Sequence, residues 1–414
     1  MRTVMCKCTA YQQKCIQNST IRYGLRSSQR QMSSSTKHKK QSPLLFQHIR
    51  SPTEKDAQIL QQMMNNRQSS VITDPERIKD YNIDWTKHYK GKSSLLCRPK
   101  TSMEVASILR YCNEHKIGIV PQAGNTGVVG SATPIDREII LSLQDLDQIY
   151  SFDEVNGILT CGSGCILQNL QDSVASWNHL VPIDLGSKGS CMIGGNISTN
   201  AGGSYYYRFG SIHANIIGLE VVLADGTILD LMNINRKDNT GYDLKHLFVG
   251  AEGTLGIITK VAISCPRLPT ARNAVFLACA SFKAVQNTLS LAKEELGEIL
   301  SAFELMDKEV MDIVEREKVI PLQNVNRFCL LVETLGACDE HDKEKMNSFL
   351  EKAMENKYVV DGVLAQDLKQ VSMNDILYNI IIVIDYSIMI RSKYQFPPLV
   401  HTYTDLPLHD YNHR

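Results

Sequence analysis

The sequence predicts an α+β fold divided into two domains, and three observations lead to that prediction. The chain has 414 residues, of which 43% are hydrophobic, and at this length two domains of ordinary size are expected. Helical patterns alternate with short apolar strands through its first half. Two prolines, Pro266 and Pro269, then precede a second alternation of helix and strand.

The first clear helix of this fold follows Lys100. Thr101 and Glu104 have the spacing of a capping box, in which each side chain binds the backbone N–H of the other residue. Apolar residues then recur at i, i+3, i+4 and i+7, and these are Val105, Ile108, Leu109 and Cys112. A shorter polar helix is expected over 56–66, and the folded core is expected to begin near Asp84.

Later elements follow from the same two periodicities. Strands are predicted over 117–121, 137–143, 157–161 and 256–263, and a helix over 165–177. Residues 218–230 predict a hairpin, because Asp225 and Gly226 lie between two apolar runs. In the second domain a helix is predicted over 285–296, with strands over 301–307 and 327–334. Residues 379–390 are rich in β-branched side chains and predict a strand that is prone to aggregation.

The charges are balanced in total but unevenly placed. The chain has 44 Lys+Arg and 44 Asp+Glu, whereas residues 1–53 contain ten basic residues and no acid. An acid-free leader rich in Arg and Ser is typical of a mitochondrial transit peptide, and a basic disordered tail is the alternative. The balance gives no reason to expect a nucleic-acid partner, and no apolar run predicts a membrane span.

The twelve cysteines predict reduced thiols and no metal site. No pair has the CxxC spacing. Cys161 and Cys165 are four positions apart, but no second pair completes a zinc site.

Three glycine-rich segments predict loops that approach a ligand closely. They are 121–130, 184–203 and 248–257. Glycine permits positive φ and lets backbone N–H groups surround an anion, and the interspersed Ser, Thr and Asn add neutral hydrogen-bonding groups. Several such loops suit an elongated dinucleotide cofactor. The first segment spaces its glycines as G-x2-G-x2-G, and neither a Rossmann fingerprint nor a P-loop occurs, so those two classes are disfavoured.

These segments carry a family resemblance. "PQAGNTGVVGSATP", "CGSGCILQNL", "PIDLGSKGSCMIGGNISTNAGG" and "KDNTGYDLKHLFVGAEGTLGIITKVAI" resemble flavoproteins of the vanillyl-alcohol-oxidase superfamily with a PCMH-type FAD domain. The match extends over about residues 80–373 and is nearer to the branch that oxidises D-2-hydroxyglutarate than to the D-lactate dehydrogenases.

The resemblance implies four regions and a cofactor. It implies a leader over 1–53, a two-subdomain FAD-binding domain over 80–268, a partial α+β cap domain over 269–373 and a divergent tail over 374–414. It implies that a D-2-hydroxy acid passes a hydride to FAD, which accepts two electrons and releases them singly to an electron-transfer flavoprotein in the mitochondrial matrix. A homodimer is a further expectation.

The resemblance also implies the residues that contact FAD. The diphosphate would be bound by Gly124, Asn125, Thr126 and Gly127. The path from adenosine to flavin would be lined by Pro182, Gly186, Ser190, Gly194, Gly195 and Asn196. The positions nearer the flavin would be Thr199, Asn200, Gly202, Gly253 and Ile258. Ala123 departs from the family's Gly, and it would cost about 1 kcal/mol or more if this position needed positive φ.

Two other side chains have open assignments. Arg208 is equally compatible with a contact near the flavin and with a plain surface role. Glu252 is expected to hold its loop by accepting hydrogen bonds from backbone N–H groups.

The resemblance ends after Met373. The family continues with a carboxylate-binding Arg and a divalent-metal motif, His-x-Gly-Asp-Gly-Asn-x-His, that this chain does not contain. The expected metal, of the zinc type, therefore has no ligands in the sequence, and the catalytic residues cannot be assigned. His401, His409 and His413 match no ligand spacing and are expected to be incidental. A dehydrogenase for D-2-hydroxyglutarate, a D-lactate dehydrogenase and a non-catalytic FAD-binding product all stay open.

Overall fold

The computed structural model describes residues 49–311 and 328–364. All of them belong to one compact unit, His48–Arg414, while the other unit, Met1–Gln47, lies outside the described residues. Also outside them are the predicted strand over 379–390, the first 48 residues of the predicted leader over 1–53, and the three histidines of the tail. The described residues form three β-sheets with helices packed against them.

The first sheet has the strand order β1-β2-β4-β3. Its strands are β1 (Val71–Ile72), β2 (Leu96–Cys97), β3 (Ile119–Gln122) and β4 (Ile139–Ser142). Its helices are α1 (Glu54–Met63), α2 (Pro75–Ile78) and α3 (Ser102–Glu114), with a 3₁₀ turn over Lys79–Asn82. Strand β4 pairs in parallel with both β2 and β3, whereas β1 is antiparallel to β2.

The predicted helix after Lys100 is confirmed as α3. The apolar residues of its 3.6-residue pattern are buried in the core beneath the sheet. Only half of the capping box forms. The Thr101 side chain accepts from the N–H of Glu104 at 3.1 Å, but the Glu104 carboxylate accepts from Lys100 at 2.7 Å.

The prediction that the folded core begins near Asp84 is wrong. Leu60 of α1 and Met64 directly after it are fully buried and share a core with α3, and Ile72 of β1 is also buried. A polar network ties this earlier segment down, because Asp56 accepts from both Arg50 and the hydroxyl of Tyr111. Helix α1 has few apolar residues, so the periodicity of its sequence does not predict that one of its faces is buried.

The second sheet is antiparallel and has the order β5-β6-β9-β7-β8. Its strands are β5 (Ile149–Asp153), β6 (Ile158–Gly162), β7 (Ile216–Val222), β8 (Ile228–Leu231) and β9 (Ile257–Ser264). Its helices are α4 (Leu167–Ala175), α5 (Ile193–Ser198) and α6 (Tyr206–Phe209), with 3₁₀ turns over Ile212–Asn215 and Leu244–Leu247. The predicted hairpin is confirmed by the β7–β8 pairing, and Gly226 takes φ +80° in its turn.

Glu220 of β7 joins the second sheet to the first. Its carboxylate accepts from Thr259 Oγ1 at 2.8 Å and from Lys260 Nζ at 2.9 Å, and the Ser102 hydroxyl at the start of α3 also donates to it. This side chain is almost fully buried. The two sheets are therefore held together by a polar contact as well as by apolar packing.

The third sheet forms the smaller second domain, with the order β11-β12-β10-β13 and antiparallel pairing throughout. Its strands are β10 (Ala271–Cys279), β11 (Leu300–Asp307), β12 (Phe328–Gly336) and β13 (Asp361–Leu364). Helices α7 (Phe282–Glu295) and α8 (Asp339–Glu355) share an apolar core with its strands. The predicted helix and both predicted strands of this domain are confirmed.

Helix α6 connects the second sheet to this domain. The Tyr207 ring lies 6.3 Å from that of Phe303, and the Arg208 guanidinium donates to the carbonyl of Glu298. Arg208 therefore joins two domains, a role that neither of its sequence assignments included.

Candidate functional site

A cavity lies where three glycine-rich loops meet. The first loop follows β3, the second surrounds α5, and the third leads into β9. The cavity is lined by Pro121, Ala123, Gly124, Asn125, Thr126, Gly127, Ser131, Ala132, Leu143, Leu185, Ser187, Met192, Gly195, Asn196, Ser198, Thr199, Ala201, Glu252, Gly253, Gly256, Ile257 and Ile258.

In the first loop a glycine is required at 124 and not at 127. A Cβ on Gly124 would lie 2.2 Å from the carbonyl oxygen of Ser190, which is far inside van der Waals contact. A Cβ on Gly127 would meet nothing within 4 Å. Asn125, between them, takes φ +50°, a conformation that Asn tolerates better than most residues. The loop is thus pressed against the second loop at one end and open at the other.

The backbone of the first loop presents unused hydrogen-bond donors. Among the described residues no acceptor is bonded to the backbone N–H of Gly124, Asn125, Thr126 or Gly127. Consecutive N–H groups without internal partners form a concave site for an anion such as a phosphate.

The second loop brings small residues to the cavity wall. Gly194 donates its N–H to the carbonyl of Ser163 at 2.8 Å, and a Cβ there would lie 2.5 Å from the Ser163 Cβ. Gly195 packs against Ala123, since an added Cβ would lie 2.9 Å from the methyl carbon of Ala123. The Thr199 hydroxyl donates to the carbonyl of Gly195 at 3.1 Å.

The third loop is fixed to the second by its backbone. The N–H of Glu252 donates to the carbonyl of Ser198 at 2.9 Å, and Glu252 and Gly253 take φ +51° and +75°. The prediction for Glu252 is therefore corrected, because its backbone N–H makes the contact that holds the loop. A Cβ on Gly253 would lie 2.5 Å from Pro121 Cγ, so the third loop also touches the first.

The lining combines neutral polar groups with an apolar wall. Among the residues that the structure describes, Glu252 is the single ionisable residue of the lining, which includes no Lys or Arg. The apolar side chains are Pro121, Leu143, Leu185, Met192, Ile257 and Ile258. Behind the wall, burial raises the pKa of the Cys191 thiol, which keeps it protonated. This donor set fits FAD, because backbone N–H groups suit its diphosphate and an apolar wall suits its flat ring system.

Nine of the fifteen residues predicted to bind FAD line the cavity: Gly124, Asn125, Thr126, Gly127, Gly195, Asn196, Thr199, Gly253 and Ile258. The other six lie outside its lining: Pro182, Gly186, Ser190, Gly194, Asn200 and Gly202. Ser190 and Gly194 still shape it, since they pack on Gly124 and Ser163. Asn200 accepts from the backbone N–H of His213 at 3.3 Å.

Sequence reasoning missed Leu143 and Leu185 among the lining residues. Leu143 is the residue directly after β4, and Leu185 lies within the second glycine-rich segment. No local signal marks either one, because their place depends on how the two sheets pack. Ser198 and Ile257, by contrast, are next to predicted positions in the sequence, and Met192 lies two residues from both Ser190 and Gly194.

Ala123 carries no backbone strain. It is absent from the residues with positive φ, so the side chain that replaces the family's Gly has no conformational cost at this position.

The described part of the chain holds no metal site. Within 49–311 and 328–364, no three or more His, Cys, Asp or Glu residues are grouped so that they could hold a metal ion. Cys161 and Cys165 are free and buried. In the same ranges no helix is both long enough and apolar enough to cross a membrane.

Comparisons with known proteins agree with this geometry. Residues 93–232 match the FAD binding domain family, and residues 268–378 match the C-terminal domain of FAD linked oxidases. The first range includes the first two loops of the cavity, and the second includes the third sheet.

Two curated relatives cover most of the chain. The mitochondrial D-2-hydroxyglutarate dehydrogenase of Rattus norvegicus is 48% identical over 305 residues, which are 73% of this chain and 57% of the relative. The D-2-hydroxyglutarate–pyruvate transhydrogenase of Saccharomyces cerevisiae is 43% identical over 296 residues, which are 71% of this chain and 60% of the relative. The chain thus spans somewhat more than half the length of these relatives.

A solved structure shares the fold. Alkyldihydroxyacetonephosphate synthase superposes with a TM-score of 0.64 at 17% identity, over 80% of this chain and 66% of that protein. With both family domains present in order, the chain belongs to the vanillyl-alcohol-oxidase superfamily of flavoproteins, which have a PCMH-type FAD-binding domain.

Proposed function

We propose that this protein is an FAD-dependent dehydrogenase that oxidises D-2-hydroxyglutarate to 2-oxoglutarate. The observation that supports it most is the cavity between three glycine-rich loops, with four consecutive free N–H groups at Gly124–Gly127. The cavity occurs in a chain that is 48% identical to a relative named for this activity.

FAD, when bound, accepts a hydride from the substrate carbon and releases the electrons one at a time. The protein's own part is to bind and orient it. In this proposal the N–H groups of Gly124–Gly127 donate to the diphosphate. Ile257 and Ile258 provide part of the apolar wall for the ring system, and burial there excludes water.

The second loop completes the cofactor path in this proposal. Gly195, Asn196 and Thr199 contact the cofactor from the cavity wall. Six predicted residues lie outside the lining, and in this proposal they either shape the loops or line a longer channel that holds the adenosine. They are Pro182, Gly186, Ser190, Gly194, Asn200 and Gly202. No step is assigned to a metal ion, because the described residues provide no ligand group for one.

The rest of the assignment follows from the class of reaction. An electron-transfer flavoprotein is the proposed acceptor, since FAD can pass its electrons singly. The mitochondrial matrix is the proposed compartment, and two features support it: the acid-free basic leader and the mitochondrial name of the rat relative.

A second candidate is a D-lactate dehydrogenase. The yeast relative is named for both D-2-hydroxyglutarate and pyruvate, and reduction of pyruvate at its keto carbon gives lactate. A site of this family would then accept a shorter 2-hydroxy acid with one carboxylate.

An anaerobic titration of the FAD-loaded protein separates these proposals. D-2-hydroxyglutarate is expected to bleach the visible absorption of the bound flavin faster than D-lactate, with L-2-hydroxyglutarate as the stereochemical control. Faster bleaching by D-lactate would favour the second candidate. Bound flavin that stays oxidised with both D-acids would contradict both dehydrogenase proposals and favour a non-catalytic FAD-binding protein.

A further inference from the structure

Gln122 is a buried amide directly before the first loop of the cavity. It is the last residue of β3 and is 1% exposed. Its backbone carbonyl accepts from the N–H of Leu143 at 2.9 Å, which fixes the end of β3 against the residue after β4. The side chain does not line the cavity, and the preceding assignment of cofactor contacts does not use it.

Its amide nitrogen holds two separate segments of backbone. Gln122 Nε2 donates to the carbonyl of Ala132 at 2.8 Å and to the carbonyl of Tyr81 at 2.9 Å. Ala132 is where the first loop returns, so the bond closes the loop across the ten residues from 122 to 132. Tyr81 belongs to the 3₁₀ turn Lys79–Asn82, so the same amide ties the loop to a second element.

The two carbonyl partners fix which way the amide points. Both bonds require N–H donors, and a side-chain NH₂ is the group that offers two from one atom. The Oε1 atom is buried and has no hydrogen-bond partner among the described residues. The contribution of Gln122 therefore comes from its two donors.

A neighbouring amide attaches the loop to the same element. Asn125 Nδ2 donates to the carbonyl of Ile83 at 2.8 Å, just after the 3₁₀ turn. Asn125 is also the loop residue with φ +50°. The free N–H groups of Gly124–Gly127 thus lie inside the loop that the buried Gln122 amide closes, and Asn125 attaches the same loop at a second point.

We propose that Gln122 is a positioning residue for the cofactor. By holding both ends of the first loop with its NH₂ group, it keeps the N–H groups of Gly124–Gly127 directed at one anion. This inference rests on the proposed binding of FAD in the cavity. It concerns how the loop is held and does not depend on which acid is oxidised.

Two substitutions test the need for donors. Gln122→Glu keeps the shape but sets a carboxylate against two carbonyl oxygens, and burial favours its neutral form. Protonation restores one O–H donor, so lower pH should partly restore the loop. Gln122→Met has a similar length and no donor, so no pH can restore it. Gln148→Glu makes the same chemical change at an exposed position as the matched control.

The measurement is FAD affinity of the apoprotein, followed by quenching of flavin fluorescence at pH 8 and pH 6. Loss of two buried hydrogen bonds predicts roughly 10–100-fold weaker binding by Gln122→Glu at pH 8, relative to wild type. This deficit should shrink at pH 6, whereas that of Gln122→Met stays constant and Gln148→Glu matches wild type. A general loss of packing would not produce a deficit that acid relieves.

Circular dichroism of each apoprotein checks that it is folded. Gln122→Glu with wild-type affinity at both pH values would overturn the inference, and so would a deficit that acid does not relieve. If Gln122→Glu does not fold, Gln122→Met decides, because unchanged affinity in that variant overturns the inference. Wild-type protein that binds no FAD would overturn the proposed function itself, together with this inference.

Discussion

Glycine has two different uses in the first loop of the cavity. Gly124 allows the backbones of the first and second loops to pack closely, because the Ser190 carbonyl oxygen occupies the space that a side chain at position 124 would need. Gly127 faces open space at the cavity, where a side chain has room. The sequence around Gly124 and Gly127 cannot distinguish these two uses, since both glycines belong to the same glycine-rich pattern.

The first prediction compares these two glycines. Gly124→Ala is expected to displace the second loop and weaken FAD binding at least about tenfold, because a contact at 2.2 Å to backbone cannot relax cheaply. Gly127→Ala keeps the N–H group and displaces no protein atom, so it should bind FAD more tightly than Gly124→Ala does. Isothermal titration with FAD measures both. Equal affinities in the two variants would contradict the assigned packing.

The second prediction concerns Asp56 and acid stability. Its hydrogen bonds, first to Arg50 and then to Thr53 and Tyr111, hold the pKa of the Asp56 carboxyl well below its usual range, against the opposing effect of burial. A lowered pKa in the folded state contributes stability above the unfolded pKa of about 4, and that contribution is lost as pH falls further. Asp56→Asn should therefore cost about 2 kcal/mol at pH 7.

Urea unfolding at pH 7 and pH 3 checks this second prediction. The difference in unfolding free energy between wild type and Asp56→Asn should be smaller at pH 3, because part of the stability that the wild-type carboxylate contributes is lost at that pH. The exposed ion pair of Asp339 with Lys343 is the control, and Asp339→Asn should change stability by less than about 1 kcal/mol. A difference in unfolding free energy that is larger at pH 3 than at pH 7 would contradict the stabilising role assigned to the Asp56 carboxylate.

At the scale of elements, a buried carboxylate connects the two sheets that surround the cavity. Burial opposes ionisation of Glu220, but hydrogen bonds from Ser102, Lys260 and Thr259 bring its pKa below the usual value. Its partners belong to α3 and β9, and thus to both sheets. The first loop follows a strand of one sheet and the third loop leads into a strand of the other, so this contact connects the two sheets that carry those loops.

The third prediction is that Glu220→Ala destabilises the fold by about 2 kcal/mol, since it leaves the buried Thr259 hydroxyl and the part-buried Ser102 and Lys260 donors without their acceptor. The fraction of the variant that keeps FAD bound during gel filtration should also be lower than for wild type. Glu298→Ala, which removes a carboxylate that is half exposed and paired with Lys345, is the control and should cost below about 1 kcal/mol. Similar losses of unfolding free energy in both variants would contradict the role of Glu220 in holding the two sheets together.

Elements with a long, clear period were predictable and very short ones were not. Helix α3, the β7–β8 hairpin and strand β12 are where the sequence predicts them, because their apolar patterns extend over several residues. Strands β1 and β2 have two residues each and form through pairing across the chain, which no local pattern reveals. Helix α8 is not predicted because its surface is strongly polar and one of its four buried residues is an aspartate, Asp342, which interrupts the apolar pattern.

The site was predictable to a similar extent and for a similar reason. Glycines carry a local signal, so the three loops could be located from the sequence. The loop ends, the Gln122 amide and the wall residues Leu143 and Leu185 depend on contacts between sheets, and a sequence read one segment at a time does not contain them.

At the scale of the molecule, the third sheet is attached to the FAD-binding part through α6. Burial lowers the pKa of Arg208, while the charges of Asp342 and Glu298 on the second domain raise it. Together with the contact between Tyr207 and Phe303, this makes α6 the connection through which the second domain is held beside the cofactor domain.

Hydrogen exchange of the whole protein with and without FAD is the most direct test that the three-loop cavity is the cofactor site. The account predicts that FAD slows exchange in 121–132, 185–201 and 251–258 together, because the cavity lining lies mostly in these segments. Exchange in α8, which contributes no residue to the cavity lining, should change little. Protection that spares all three loops, or that appears only in the second domain, would contradict the account.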